Sequence, residues 1–589
     1  MKSFLQSFLG ALLALVIVTG GIIIFFVMMA ASMSPAPPSV PSKAVLVFDL
    51  NRNLPDGPES GDTATTVLKA IQGDMGQDTP LWTLIDALDR ASDDPKISGL
   101  FITGSLNSAG SASLLELRQA LQRFKEKKTV VSYNQVWGMR ELYLCAGLGE
   151  ILVNPFGAVE ITAPSANLVF FANAFQKYGI QVQVTKVGDY KSAVEPFISD
   201  RMSRENREQV TAYLSEIWNG LKTGIAYGRE LEVDTIQHLA DTKGMVNAGE
   251  ALTDNLVDKL AYYDEVLDQL KVMAGKETDS KNFPQIDIDT YVKVPSVPQK
   301  SRNRIAVVFA EGDIVDGEGD SGQIGGDSLA RELRALRMDK NVKAVVMRVN
   351  SGGGSAMASD VILREVIALK SEKPIVVSMG NLAASGGYWI STYANKIFAE
   401  PVTLTGSIGV FGMFPNAQRL ASNHGLTFDE VQVAKLKGTS LIRPMTPEEM
   451  DRAQALVDYV YDQFLQKVSE SREINMEDLK KIAQGRVWTG ANAHTLGLVD
   501  EIGGLEVAIE SAAKLANIEN DYRVDGPAAP KSTMELFLQA LGGSEKRKLA
   551  NTGPIDTAQN ELEEALLRLR SFNDPLGIYA LAPVGITIR

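Results

Sequence analysis

The chain has 589 residues, 45% hydrophobic and 22% charged, with a formal net charge of -14 and a pI near 5.0. That length gives room for roughly two to four domains with their own cores, and the acidic balance, without a Lys/Arg block, excludes nucleic acid as an expected partner. The single Cys145 allows no intrachain disulfide, and His238, His424 and His494 stand in no metal-ligand spacing, so neither a disulfide nor a metal site is expected.

From Ser3 to Ser42 there is no charged residue, and Phe8 to Ala31 is almost wholly apolar. As a helix this run is about 36 Å long, enough to cross a bilayer. It is too long for the apolar core of a cleaved signal peptide, so residues 8–31 read as an uncleaved transmembrane helix in contact with lipid. Lys2 and the terminal amine orient the N-terminus inward and the bulk of the chain outward. SPAPPSVPS, Ser34 to Ser42, is an extended spacer.

After the spacer the same plan occurs twice. KAVLVFDL (Lys43–Leu50) and RIAVVFAEGDIVDG (Arg304–Gly317) open two segments in which amphipathic helices alternate with apolar strands, ISGLFI (Ile97–Ile102) in one and VKAVVMRV (Val342–Val349) in the other. This alternation is that of a parallel α/β sheet. An offset of 246 carries Val130-Val131-Ser132 onto Val376-Val377-Ser378, Pro155 onto Pro401 and Gly179 onto Gly425; GEALTDNLVDKL (Gly249–Leu260) resembles ANAHTLGLVDEI (Ala491–Ile502) at an offset of 242. The organisation expected is an anchor and spacer over 1–42, a first α/β repeat over 43–275, a linker over 276–302, a second α/β repeat over 303–525 and a helical tail over 526–589.

The two copies act as controls for each other. In SMGNLAASGGYWIST (Ser378–Thr392) a serine sits between two alanines and two glycines where a strand should become a helix. Ser385, Gly386 and Gly387 fall on Met139, Arg140 and Glu141 of the first copy, so smallness there is not required by the architecture alone. The loop SGGGS (Ser351–Ser355) likewise has the less glycine-rich counterpart GSLNSAGS (Gly104–Ser111). Divergence of this kind is expected if one repeat keeps a chemical site and the other a structural role.

A serine nucleophile needs a base and donors for an oxyanion. Gly353 and Gly386 offer backbone N–H groups with no side chain to obstruct a substrate. His424 and His494 read as solvated or packing residues. Lysine is the alternative base, provided that burial lowers its pKa toward neutrality.

The pieces RVNSGGGS (Arg348–Ser355), SMGNLAASGGYWIST, TLTGSIGVFG (Thr403–Gly412) and VGDYKSAVEPF (Val187–Phe197), with the tail piece FNDP (Phe572–Pro575), resemble the bacterial signal peptide peptidase A (protease IV) family in its long duplicated form. The resemblance implies two tandem repeats of Clp-protease/crotonase-like fold and a Ser/Lys dyad protease without cofactor. By motif it implies Ser385 as nucleophile, Lys191 as general base, Ser407 as the lysine's hydrogen-bond partner, and Gly353 and Gly386 as oxyanion donors. Serine and lysine then come from different repeats. Lys437, opposite Lys191 at the offset of 246, is the alternative base. Asp189 and Glu195 beside Lys191 would favour its charged form, and are expected to point away. Gly352 stands where the family usually has proline.

The resemblance further implies released signal peptides and other apolar peptides as substrates, a homotetramer, and a single-pass location in the bacterial inner membrane with the catalytic part on the periplasmic side. A noncatalytic peptide-binding scaffold and a crotonase-like acyl-CoA enzyme are the alternatives.

Overall fold

The computed structural model describes residues 38–57, 79–295, 301–431, 433, 440–526, 572–583 and 587–588. The apolar run 8–31 lies outside them; among the described residues no helix is long and apolar enough to cross a membrane.

The apolar runs form two mainly parallel sheets with the same strand order. In the first, the sequence across the sheet is Met245–Asn247, Glu150–Glu160, Thr129–Trp137, Ile97–Thr103, Ala44–Asp49 and Gln285–Asp287; in the second it is Val487–Thr489, Leu404–Gly406, Ile375–Ala384, Val342–Ser351, Arg304–Glu311 and Arg523–Asp525. Register repeats as well as order. Leu100 lies opposite Val130, and Val346 opposite Val376, so both partners move by the same 246 positions.

These strands are rich in Val, Ile and Leu because both faces are covered. On one face of the first sheet Leu46, Leu100 and Val130 pack with Leu117, Leu121 and Phe124 of the helix Ser111–Lys127. On the other, Val45, Phe101 and Val131 meet Val266 and Leu270 of the helix Tyr263–Met273. The second sheet repeats this, with Ile305, Val346 and Val376 against Ala508, Ile509 and Ala512 of the helix Leu505–Leu515.

Two segments differ from the sequence-based expectation. Within the expected linker, Gln285–Asp287 pairs parallel to Ala44–Asp49, because Ile286, Ile288 and Tyr291 find places in the first core. Within the expected helical tail, Ile578–Leu581 is a strand rather than a helix.

That tail strand belongs to a third sheet, which draws on both repeats. Its order is Gln323–Gly325, Asp313–Val315, Gly353–Ser355, Ile578–Leu581, Phe411–Asn416 and Gln181–Lys186. The last pair is antiparallel, from Phe411 opposite Lys186 to Asn416 opposite Gln181. It ties a first-repeat strand to the second repeat five residues before Lys191.

The repeats also meet through buried charge. Arg348, on the strand that leads into the glycine loop, donates from Nε to Asp56 at 2.7 Å and from Nη2 to Asp56 and Glu116, both at 2.6 Å. Its Nη1 donates to Ser378 Oγ at 2.8 Å. Breaking a buried pair from one side leaves an uncompensated charge. Arg348→Met is therefore expected to destabilise the chain by about 3–5 kcal/mol in urea unfolding. Arg123→Ala, which removes half-exposed bridges to Asp89 and Glu506, is expected to cost under about 1 kcal/mol.

Candidate functional site

The strand Ile375–Ala384 and the helix Gly386–Ser391 are joined by one residue, Ser385, at φ 56° and ψ −111°. A side chain in this region is sterically strained, so the surroundings must hold it. Ser385 N–H donates to the Gly406 carbonyl at 2.8 Å, and the Ser385 carbonyl accepts from Trp389 N–H at 2.7 Å. The small neighbours allow this tight turn. A Cβ at Gly387 would stand 2.5 Å from the Ser351 carbonyl oxygen, and one at Gly386 would stand 2.9 Å from Gly353 Cα. In the first repeat the corresponding helix Met139–Cys145 opens from Gly138 at φ −81°. The sharp serine turn thus exists in one copy.

The lysine arrives from the other repeat. Beyond the strand Gln181–Lys186 the chain turns at Gly188, φ 97°, against the Gln484 backbone, and Tyr190 N–H donates to the Gln484 carbonyl at 3.1 Å. Lys191 then extends into the second repeat, where Nζ lies 2.7 Å from Ser385 Oγ and 3.2 Å from Ser407 Oγ, and donates to the Ser407 carbonyl at 3.1 Å. Ser407 Oγ donates to the Gly485 carbonyl at 3.2 Å. Lys191, Ser385 and Ser407 are all 0% exposed.

Burial alone pushes the Lys191 amine well below the ordinary lysine value, because the charged form loses its hydration. The nearby carboxylates do not offset this. Glu195 accepts from Asn206 Nδ2 at 2.9 Å and Ser203 N–H at 3.2 Å, and Asp189 is exposed. The Glu195 carboxylate is thus engaged away from the amine, and Asp189 stands in solvent. A lysine held neutral beside a hydroxyl is equipped to accept its proton.

The glycine loop lies against the same point. Gly353 is at φ 100°, and a Cβ there would stand 2.5 Å from Gly386 N. Gly353 N–H donates to Ser351 Oγ at 3.1 Å. His238, His424 and His494 are all exposed. Lys437 lies outside the described residues.

Two glycines that sequence reasoning passed over complete the lysine pocket. A Cβ at Gly485 would stand 2.7 Å from Lys191 Cβ and 2.8 Å from its Cα, and one at Gly409 would stand 3.3 Å from its Cδ. At the offset of 242 that carries Met245–Asn247 onto Val487–Thr489, Gly485 falls on Lys243, and the nearby turn glycine Gly244, around which a Cβ would meet nothing within 4 Å, falls on Arg486. The connection before Val487–Thr489 is two residues longer than the one before Met245–Asn247, so comparison of the copies does not mark the contact.

A profile described as Peptidase family S49 matches residues 122–277 and 367–519, one match in each repeat. The chain is 33% identical over 570 residues to "Protease 4" of Salmonella typhi, spanning 93% of this chain and 91% of that protein. It is 34% identical over 568 residues to "Protease 4" of Haemophilus influenzae, spanning 91% of each. To "Serine protease SPPA, chloroplastic" of Arabidopsis thaliana it is 32% identical over 476 residues, 77% of this chain and 69% of that one.

Two outcomes test the pocket. Folding must strip a proton from Lys191 wherever the unfolded amine is charged and the folded one neutral. The unfolded state then binds more protons, and stability rises with pH from the lowered folded value up to about 10.5. Lys191→Met, which has no proton to lose, should melt above the wild type near neutral pH, with the gap closing toward alkaline pH in thermal scans. Gly244→Ala should cost about 1–2 kcal/mol through its left-handed backbone. Gly485→Ala should cost more, and should slow modification of Ser385 by a fluorophosphonate by about 10²-fold through displacement of Lys191.

Proposed function

The chain belongs to peptidase family S49 in its long duplicated form and is a serine protease; from that premise we propose that Ser385 and Lys191, contributed by different repeats, are its catalytic pair. The observation that carries this reading is the 2.7 Å approach of Lys191 Nζ to Ser385 Oγ in a pocket where burial lowers the amine's pKa.

In the proposed mechanism neutral Lys191 takes the Ser385 proton as Oγ attacks a peptide carbonyl. The N–H groups of Gly386 and Gly353 hold the oxyanion, the latter after leaving Ser351 Oγ. Protonated Lys191 then gives its proton to the departing amine, and water, activated by the same amine, releases the acyl group from Ser385. Ser407 positions Lys191 through its hydroxyl and carbonyl, and its own hydroxyl is held by Gly485. No step calls for a cofactor.

The substrates proposed are released signal peptides and other apolar peptides. Residues 8–31 would anchor the enzyme as a single-pass protein in the bacterial inner membrane, with the catalytic part on the periplasmic side, where such peptides leave the bilayer. The supporting observation is the charge-free run from Ser3 to Ser42. A homotetramer and a Clp-protease/crotonase-like repeat complete the proposal, both carried from the family resemblance.

Hydrolysis of a quenched apolar peptide by the full chain tests the pair. Ser385→Ala should lose at least about 10⁴-fold in kcat. Lys191→Ala should lose about 10²–10⁴-fold, the contribution of a general base. Lys437→Ala should stay near wild type; full activity in Lys191→Ala, or loss in Lys437→Ala alone, would sink the cross-repeat pair.

A further inference from the structure

A peptide substrate binds a protease as an extended strand, pairing its backbone with exposed strand edges. Beside Ser385 the two edges in position are Gly353–Ser355 and Phe411–Gly412. Both are occupied by the chain's own C-terminal strand. Gly353, Gly354 and Ser355 lie antiparallel to Leu581, Ala580 and Tyr579, while Phe411 and Gly412 lie antiparallel to Tyr579 and Ile578. Ala582 N–H extends the pairing to the Gly352 carbonyl at 2.7 Å.

The Ala580 carbonyl packs against the two glycines assigned above as oxyanion donors. Its oxygen would stand 2.0 Å from a Cβ at Gly353 and 3.0 Å from one at Gly386. Ile578, Tyr579, Ala580, Leu581 and Ala582 are all buried, as is the nucleophile. The Gly353 N–H meanwhile donates to Ser351 Oγ rather than facing an oxyanion. Three features therefore coincide: a filled strand position, a covered serine and an engaged donor. The occupant, Ala580-Leu581-Ala582 after Ile578-Tyr579, is an apolar segment with small residues, the class of substrate proposed above.

The tail is fixed from its base. Phe572 meets the rings of Phe197, Phe411 and Tyr579. Asn573 Oδ1 accepts from Asp316 N–H at 3.0 Å, and its Nδ2 donates to the Asp316 carbonyl at 3.2 Å. Asp574 accepts from Ser355 Oγ at 2.6 Å and from Met357 N–H at 3.2 Å, next to the glycine loop itself.

We propose that residues 572–583 are an autoinhibitory strand that occupies the peptide groove in cis and must withdraw before a substrate pairs with Gly353–Ser355 and Phe411–Gly412. This inference rests on the Ser385 protease reading. Withdrawal breaks no covalent bond. It exchanges one antiparallel strand for another, so an incoming apolar peptide competes directly with the tail.

The test loosens the base of the tail without touching the glycine loop, by Phe572→Ala with Asn573→Ala in the full chain. If the tail blocks the groove, raising the open fraction should raise both hydrolysis of an apolar peptide and fluorophosphonate labelling of Ser385 by about tenfold. A synthetic peptide of residues 572–583 should then inhibit the loosened enzyme competitively. Unchanged or lower rates, with turnover still abolished by Ser385→Ala, would overturn the autoinhibitory strand while leaving the protease reading intact. Absence of Ser385-dependent turnover in both forms would instead sink the protease reading, and this one with it. If the double variant does not fold, Asn573→Ala alone with the added peptide gives the same two readouts, and a rate that neither rises in the variant nor falls with the peptide overturns the proposal.

Discussion

The contact on which the rest depends is between an amine and a hydroxyl brought together from two repeats and shut off from bulk solvent. Lys191 Nζ and Ser385 Oγ are 2.7 Å apart and both are fully buried. A lysine placed there loses hydration and gains no carboxylate in exchange, so its neutral form is favoured. Everything nearby serves that condition. Gly485 and Gly409 let the lysine pass close to the backbone, and Ser407 offers a hydroxyl and a carbonyl in place of a charge. The antiparallel pairing of Gln181–Lys186 with Phe411–Asn416 fixes the direction from which the side chain enters.

Duplication explains why such a site is affordable. Two copies of one sheet supply similar cores, so one can specialise. The second repeat carries the strained turn at Ser385 and the positive-φ glycines of the loop; the first keeps an ordinary helix start at Gly138 and lends a lysine instead. Arg348 then joins the specialised loop to the lending repeat through Asp56 and Glu116. Loss of any one member would leave a buried charge uncompensated, so the cluster links the glycine loop to the repeat that carries Lys191.

The sheet order and register were legible because buried parallel strands are continuous runs of Val, Ile and Leu, and the same runs recur at a constant spacing. Ser385 was legible because Met139, Arg140 and Glu141 remove the packing explanation for its small neighbours. Gly485 was not, since it lies in a helix-to-strand connection two residues longer than that of the first repeat and reads there as an ordinary turn glycine. The Arg348 cluster was hidden by separation, for Asp56 lies 292 residues away along the chain. The strand Gln285–Asp287 was missed because only a few alternating apolar residues mark it, and Ile578–Leu581 because its partners lie more than 160 residues earlier. Short strands completed by distant partners leave little local pattern.

If burial keeps Lys191 neutral and so makes it a base, the pH dependence of single-turnover acylation of Ser385 carries its signature. The rate should rise with pH through one ionisation well below 10.5, then level, and that ionisation should be absent from Lys191→Met. A rise that follows the ordinary lysine value, or the same profile without Lys191, would contradict that role.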